Sequence, residues 1–202
     1  MSRSIWQRIE ESRERWDVLR HPFYRRWSAG ELSADELARY SGQYRHAVNA
    51  IAAASEAAAR ALPVEESLRR HAVEEREHVA LWDGFVDGAG GGSADPATAE
   101  TQACVADWTA GDDALDHLIR LYAIESGQPE ISRVKLEGLT EQYGFQEGPA
   151  TEYFRVHRSR DVEHAGEARE LIERLAGELD EDRLVAAAES AFRANWRLLD
   201  GV

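Results

Sequence analysis

Apolar residues recur at helical spacing along almost the whole chain, and proline or glycine stands where that spacing is interrupted. Residues three and four positions apart share one face of an α-helix, whereas a half-buried strand alternates apolar and polar residues. No segment alternates in that way over a useful length, and no internal repeat is visible. The sequence therefore predicts an all-α fold, an antiparallel bundle of seven to eight helices that forms a single domain over residues 1–202.

Capping residues and helix breakers mark the boundaries of the predicted helices. Ser33 and Glu36 form a capping box at the start of one helix, and Pro63 marks its end. The run GAGGGS at 88–93 predicts a flexible loop. The predicted helical segments are 4–19, a short segment 23–28, then 34–61, 64–86, 97–109, 112–125, 130–143, 149–175 and 182–199.

The composition excludes several classes of protein. The 202 residues include 24 basic and 38 acidic side chains, whereas nucleic-acid binding depends on clustered Lys and Arg. No apolar run approaches the roughly 18 residues of a membrane span, and the charged first residues lack the pattern of a secretory signal. Cys104 is the only cysteine and cannot form an internal disulfide. We expect a cytoplasmic protein that binds neither nucleic acid nor membranes.

Three side chains of metal-ligand type lie on one stripe of the predicted helix 149–175, namely His157, Asp161 and His164. Their offsets of four and three residues match one helical face, because a turn takes about 3.6 residues. Tyr153 and two alanines continue that face, which indicates that it points into the bundle. Buried imidazoles and carboxylates are costly unless they are paired or bind a metal. The stripe therefore predicts a metal site, and the alternative is a solvated face with chance histidines.

Two further segments supply candidate ligands. In helix 64–86, Glu75 and His78 have the Glu-x-x-His spacing that dimetal carboxylate bundles use. Glu74 lies four residues from His78 and fits as well, and an exposed charged face is the alternative for the whole cluster. Glu125 ends the apolar stripe of another helix, where a carboxylate is either a buried ligand or an isolated feature of the helix C-terminus.

Together these segments supply three histidines and three carboxylates. Imidazole and carboxylate groups suit divalent iron or manganese, and three carboxylates offset most of the charge of two such ions. The spacing does not distinguish these metals from zinc. The sequence therefore predicts a centre for two divalent transition-metal ions, with the ligands Glu75, His78, Glu125, His157, Asp161 and His164.

The chain resembles the haem-oxygenase-like dimetal oxidases. The similarity lies in HPFYRRWSAGELSADELARYSGQY near the start, EEREHVALW in the middle, and YAIESGQPEISRVKLEGLTEQYGF together with the stripe of helix 149–175. The motifs HPFY and QY are shared more loosely with TenA-like and PqqC-like proteins. Within the family, the chain resembles the branch of para-aminobenzoate synthases that includes the Chlamydia protein associating with death domains.

The resemblance implies a haem-oxygenase-like helical bundle with two metal ions, iron with iron or iron with manganese, that uses dioxygen and an external reductant. In the para-aminobenzoate branch, a tyrosine of the protein becomes the aromatic product and a lysine donates the amino group, so that the protein is consumed in one turnover. The matching residues here are Tyr24 as the tyrosine, Lys135 as the lysine, and Tyr40 as a second tyrosine of the site. The product would feed folate synthesis. We also expect a homodimer and an electron donor of unknown identity.

Lys135 is the only lysine of the chain, against 23 arginines. A coding bias toward arginine replaces lysines at exposed positions. Arginine stays protonated and cannot act as an amine nucleophile, so a lysine whose amine is used would be retained despite that bias. Ile131 and Leu139, four residues on either side, place Lys135 on an apolar stripe, and burial lowers the pKa of an amine. The alternative is a lysine that was retained by chance and reaches the surface.

The chain departs from the para-aminobenzoate branch at two places. Ile124 stands where that branch carries a tyrosine, and the Glu-to-His separation in EEREH is shorter. Three other functions therefore remain open. The first is an enzyme with the same metal site that acts on an external amino acid or fatty acid by N-oxygenation, desaturation or C–C cleavage. The others are a metal-free protein that binds a pyrimidine or quinone precursor, and an interaction scaffold.

Overall fold

The computed structural model describes residues 3–175 and 180–202. In these two ranges, all regular secondary structure is helical. This confirms the all-α prediction. The two ranges contain nine α-helices and a 3₁₀ helix, Val18–Arg20, between the first two. The α-helices are α1 (Ile5–Arg15), α2 (Pro22–Ala29), α3 (Ala34–Ala61), α4 (Glu66–Ala89), α5 (Ala99–Trp108), α6 (Ala114–Glu125), α7 (Gln128–Glu141), α8 (Pro149–Leu175) and α9 (Glu181–Asp200).

The first helix is shorter than predicted, because α1 ends at Arg15 rather than at Leu19. The side chain of Asp17 caps a separate 3₁₀ turn by accepting a hydrogen bond from the amide two residues on. His21 caps α2 in the same way through Nδ1, and a proline fits the first turn of that helix. The short segment predicted at 23–28 is thus a full α-helix, which explains why the described ranges hold nine helices rather than seven or eight.

Capping also sets the other boundaries. The capping box of Ser33 and Glu36 is present, and α3 follows as predicted. Helix α4 extends past the predicted end to Ala89, where Gly90 in the left-handed conformation terminates it. Pro129 was expected to follow the end of one helix and lies instead in the first turn of α7. These shifts of one turn or less leave the order of the helices unchanged.

The glycine-rich run at 88–93 lies partly within α4 and then crosses α3 at short range. A Cβ atom at Gly91 would collide with Ser41 Oγ and would lie 2.6 Å from the carbonyl oxygen of Ala38. Glycine is therefore required there because a larger residue would push the connection away from α3. The segment predicted as a loop thus contributes a close packing contact.

Helix α8 packs against α4, α6 and α7 in the middle of the bundle, and α7 also packs against α2. Helices α4 and α8 run antiparallel, since His71 lies beside His164 and His78 lies beside His157. This packing brings the predicted ligand stripes of α4, α6 and α8 together. Within the described ranges, every helix is too short or too polar to cross a membrane.

Candidate metal centre

Two antiparallel helices carry the same spacing of ligand-type side chains, His-x3-carboxylate-x2-His. Offsets of four and three residues place each set on one stripe of its helix. The two stripes face each other, with ring centres 3.9 Å apart for one histidine pair and 4.4 Å apart for the other. The stripes consist of His71, Glu75 and His78 on α4, and His157, Asp161 and His164 on α8.

Two groups of buried side chains lie close enough to hold metal ions. In each group, one ligand atom from every residue lies within 4.8 Å of the others. Glu75 belongs to both groups, so that its two carboxylate oxygens are placed between two potential ion positions. The first group comprises His71, Glu75, Glu125 and His164, and the second comprises Glu75, His78 and His157.

Asp161 is the one predicted ligand outside both groups. Its Oδ1 lies 3.6 Å from Nδ1 of His164, and the side chain is buried beside the first group. Both of its carboxylate oxygens lack a hydrogen-bond partner among the described residues. Asp161 therefore borders the cluster and is free to contact an ion there.

Eight ligand-type atoms in and beside the two groups are buried without hydrogen-bond partners in the described part of the chain. A buried polar atom left without a partner costs about 1–3 kcal/mol, so such a concentration of them indicates an absent ligand. Nε2 of His71 and Oε1 of Glu125 lie 2.8 Å apart, but their orientation does not form a hydrogen bond. The donor set of imidazole nitrogens and carboxylate oxygens fits divalent iron or manganese. The atoms are His71 Nε2, Glu75 Oε2, both oxygens of Glu125 and of Asp161, His157 Nε2 and His164 Nδ1.

Hydrogen bonds outside the cluster orient two of its histidines. Nδ1 of His157 donates to the carbonyl oxygen of Tyr153 at 2.8 Å, which leaves Nε2 directed toward Glu75. The ring of Tyr153 also stacks on that imidazole at 3.7 Å. Nε2 of His164 lies 3.0 Å from Glu74, so Nδ1 of His164 faces the cluster. Such outer contacts set which nitrogen of a histidine can bind a metal.

The choice between the two neighbouring glutamates of α4 is resolved by burial. Glu75 is 1% exposed and lies among the imidazoles, whereas the side chain of Glu74 is 20% exposed and pairs with Arg160 at the rim. Glu75 is therefore the candidate ligand.

Carboxylates and imidazoles lie so close together in the cluster that they shift one another's pKa values. Burial would raise the pKa of Glu75, but the neighbouring imidazoles of His157 and His78 hold it well below its usual range. Burial raises the pKa of Glu125. Burial would lower the pKa of His164, but the surrounding carboxylates raise it to about 9. Without metal ions, a proton on His164 thus offsets part of the carboxylate charge, and a divalent cation would replace that proton.

Lys135 is fully buried among aromatic rings, close enough to Asp161 for its pKa to be affected by that charge. Burial lowers the pKa of this amine to about 7, although the charge of Asp161 acts in the opposite direction. Nζ has no hydrogen-bond partner among the residues described. It lies 4.3–5.8 Å from the centres of five rings, which belong to Tyr24, Tyr40, Tyr44, Trp82 and Phe154.

The two predicted site tyrosines touch each other. The hydroxyl oxygens of Tyr24 and Tyr40 are 3.0 Å apart, and burial raises the pKa of both well above the usual range. Both phenols are therefore neutral. Tyr44, which was given no role in the sequence analysis, has the nearest of the five ring centres to Lys135 Nζ. Its hydroxyl accepts a hydrogen bond from Gln128.

His71 and Tyr44 are the residues that sequence reasoning missed at this site. His71 has a clear signal in the sequence, because the spacing of His71, Glu75 and His78 repeats that of the stripe on α8. Tyr44 lies four residues after Tyr40 on the same face of α3, but an aromatic at that spacing equally indicates an ordinary core position.

The sequence itself defines the class of protein. Residues 71–196, which include every candidate metal ligand, match the profile of a haem-oxygenase-type family described as iron-containing redox enzymes. The chain belongs to this family. The chain is also similar to two 4-aminobenzoate synthases. Those of Nitrosomonas europaea and Chlamydia trachomatis are 29% and 30% identical to it. These similarities cover 97% and 91% of this chain, and 89% and 85% of the two relatives.

Solved structures confirm the haem-oxygenase-like fold. A TenA homologue from P. horikoshii superimposes with a TM-score of 0.71 at 17% identity, over 96% of each chain. A domain with a heme oxygenase-like fold from Shewanella denitrificans gives a TM-score of 0.74 at 15% identity, over 100% of this chain and 92% of that one. At these identities the likeness extends to the fold alone.

Proposed function

We propose that this protein is a 4-aminobenzoate synthase that makes the product from its own Tyr24 and Lys135. One observation carries the proposal: the only lysine of the chain is fully buried beside the metal cluster, with Nζ 5.8 Å from the ring centre of Tyr24. The names of the relatives support the product, and the family supports a redox enzyme. The identity of the amine and of the tyrosine is our inference.

The residues proposed to hold the metal ions are the two buried groups, with Asp161 at their border. Glu75 belongs to both groups and would help to hold either ion. Two iron ions, or iron with manganese, would supply the oxidising power by reducing dioxygen with electrons from an external reductant. The cluster is walled off from solvent, which keeps oxidising chemistry directed at neighbouring side chains.

Tyr24 provides the carbon skeleton in this proposal. The product carries a carboxylate where tyrosine has Cβ, and an amino group where tyrosine has its hydroxyl. The reaction must therefore break the Cα–Cβ bond of Tyr24, oxidise Cβ to a carboxylate and exchange the phenolic oxygen for nitrogen. Tyr40 holds the hydroxyl of Tyr24 in one orientation through their mutual hydrogen bond.

Lys135 provides the nitrogen. A bond must form between its Nζ and the ring carbon that carries the hydroxyl of Tyr24, and the phenolic oxygen leaves as water. The Nζ–Cε bond must then break: a two-electron oxidation, with dioxygen as the oxidant, would turn the secondary amine into an imine at Cε, and its hydrolysis would release the aromatic amine and leave Cε as an aldehyde. Only a neutral amine can attack, and burial lowers the pKa of Lys135 to about 7, so that a large fraction is neutral near physiological pH. The absence of a hydrogen-bond partner for Nζ among the described residues leaves the amine free to move toward the ring.

The experiment is a single-turnover reaction followed by mass spectrometry. The purified protein is loaded with iron, or with iron and manganese, and then given reductant and air. We expect one equivalent of product at most, a chain cleaved or altered at Tyr24, and loss of nitrogen from Lys135. Expression with lysine labelled by ¹⁵N at the side-chain nitrogen labels a single side chain, because Lys135 is the only lysine. The label should appear in the product.

Matched variants separate this proposal from its alternatives. Lys135→Arg and Tyr24→Phe should both abolish the product, whereas Tyr122→Phe, a half-buried tyrosine outside the aromatic cluster, should not. Unlabelled product, or product formed by both site variants, would favour the same metal centre acting on an external amino acid or fatty acid. Elemental analysis of protein purified without chelator comes first. A protein without bound metal that consumes no oxygen would leave only the binding and scaffold functions.

A further inference from the structure

Glu74 adjoins the candidate ligand Glu75 in the chain but contacts a different part of the site. Successive helical residues point about 100° apart, so Glu74 leaves the ligand stripe of α4 and reaches across to α8. There its Oε2 lies 3.0 Å from Nε2 of His164, and its Oε1 accepts a hydrogen bond from Nη2 of Arg160 at 2.6 Å. Each carboxylate oxygen thus has its own partner on α8.

The orientation of His164 follows from this contact. An imidazole has two nitrogens, and the one that carries the proton cannot bind a metal. Nε2 of His164 faces Glu74, which can only accept, so Nε2 carries a proton. Nδ1 then faces the cluster, 3.6 Å from Asp161 and 3.7 Å from Glu75, with no hydrogen-bond partner in the described part of the chain.

We propose that Glu74 is a positioning residue for the metal centre, which holds His164 with its proton on Nε2 and its Nδ1 free to bind an ion. The contact acts on the first group of candidate ligands, to which His164 belongs. The proposal rests on the metal-binding part of the proposed function and does not depend on the product. A carboxylate behind a metal-binding imidazole fixes the ring and strengthens the nitrogen as a ligand.

Arg160 keeps Glu74 in place. Its Nη2 binds Glu74 while its Nη1 binds Glu163 at 2.7 Å, so that the guanidinium is fixed from both sides. In contrast to His164, His157 is held by the backbone carbonyl of Tyr153, which no side-chain substitution removes. Of these two histidines, His164 is therefore the one whose orientation depends on a replaceable side chain.

The test measures zinc affinity in the full-length metal-free protein, because zinc is redox-inactive and needs no dioxygen. Zinc is titrated against a chromophoric chelator in wild type, Glu74→Ala, Glu74→Gln and Glu163→Gln. We expect Glu74→Ala to weaken the binding of one of two zinc ions about 10- to 100-fold. Glu74→Gln should lose less, since its amide oxygen still accepts from Nε2. Glu163→Gln should bind as wild type does, because the amide oxygen of glutamine still accepts from Arg160 and this side chain does not contact His164.

A second readout reports the proton itself. Long-range ¹H–¹⁵N correlation spectra of the zinc-loaded protein distinguish the two forms of each imidazole. Wild type should show His164 with its proton on Nε2 and zinc on Nδ1, and Glu74→Ala should show exchange or a reversed ring. A merely structural role for Glu74 would change the melting temperature of the metal-free protein but not this signature.

Two results would overturn the inference. One is a folded Glu74→Ala variant with both zinc affinities and the His164 spectrum of wild type. The other is a spectrum in which zinc binds Nε2 of His164. If Glu74→Ala fails to fold, Arg160→Gln replaces it, and wild-type affinity in both Arg160→Gln and Glu74→Gln counts against the inference.

A failure of this inference can be told apart from a failure of the proposed function. If wild type binds no zinc, iron or manganese, the metal centre itself is refuted. If a Glu74→Ala protein binds metal with normal affinity and forms product, only this inference is refuted.

Discussion

The hydroxyl oxygens of Tyr24 and Tyr40 lie 3.0 Å apart in the interior of the protein, where both rings are shielded from solvent. A buried phenol hydroxyl needs a hydrogen-bond partner that holds it in one orientation. Tyr40 is the neighbour in hydrogen-bond contact with Tyr24. Because burial raises the pKa of both hydroxyls, neither is ionised before the reaction.

Removal of the Tyr40 hydroxyl should therefore impair the reaction more than the fold. Tyr40→Phe leaves the ring packing in place and deprives the Tyr24 hydroxyl of its partner. We expect a loss of about 1–3 kcal/mol in the free energy of unfolding. We also expect at least about a tenfold fall in the single-turnover rate, because the Tyr24 hydroxyl is no longer held in one orientation. Chromatography of released 4-aminobenzoate and thermal melting measure the two effects. Equal rates in Tyr40→Phe and the control Tyr122→Phe would contradict the role given to Tyr40.

Lys135 should make stability depend on pH. Its pKa is lowered to about 7 in the fold by burial, whereas an unfolded lysine titrates near 10.4. Between these values the unfolded chain binds more protons, so the stability of wild type should rise with pH across that window. Below about pH 7 the full cost of burying the amine applies. Since one pKa unit is about 1.4 kcal/mol, that cost amounts to several kcal/mol.

Lys135→Met should remove this cost and keep a similar volume. In urea unfolding of the metal-free protein, we expect the variant to be more stable than wild type at pH 6–7, with an advantage that shrinks toward pH 10. Arg133→Met, on the outer face of the same helix, serves as the control and should show no such trend. If the stability difference between wild type and Lys135→Met does not change with pH, burial does not lower the pKa of the Lys135 amine.

The parts of the site that could be predicted from the sequence are those that one helix carries alone. His157, Asp161 and His164 share a stripe, and the spacing alone indicates that they project together. The burial of Lys135 followed from Ile131 and Leu139 for the same reason. Such local periodicity also located the helices to within about a turn.

The remaining features depend on contacts between helices. The Glu-x-x-His spacing on α4 left Glu74 and Glu75 open, and the contacts with α8 separate them: His164 and Arg160 bind Glu74, and the imidazoles surround Glu75. The proximity of Tyr44 to Lys135 likewise results from the packing of α3 against residues distant in the chain. Helix ends were displaced where a side chain such as Asp17 caps a turn that has no apolar periodicity.

His71 should prove to be a ligand of the first metal position. Its Nε2 lies 2.8 Å from Glu125 and 3.8 Å from Glu75, where an ion would contact all three side chains. We expect His71→Ala to reduce bound metal from two ions to one per chain, measured by elemental analysis after loading and desalting. His46→Gln, a histidine whose ring contacts a backbone carbonyl away from the cluster, should keep both ions. Two tightly bound ions in His71→Ala would exclude His71 from the ligand set.

The contact between α2 and α7 should be sensitive to a single methyl group. Trp27 donates from Nε1 to the carbonyl oxygen of Lys135, and a Cβ atom at Gly138 would lie 2.5 Å from Cδ1 of Trp27. Trp27 is fully buried and cannot move without displacing the rings around it. Gly138→Ala should therefore destabilise the protein by about 1–3 kcal/mol through overpacking. It should also slow product formation, because Tyr24 and Lys135 lie on the two helices that separate.

The control is Gly166→Ala on α8. A methyl group has open space at this position, so the substitution should stabilise the helix by about 0.5–1 kcal/mol. Urea unfolding of both variants measures the difference, and a Gly138→Ala protein as stable as wild type would show that α2 does not depend on this close approach.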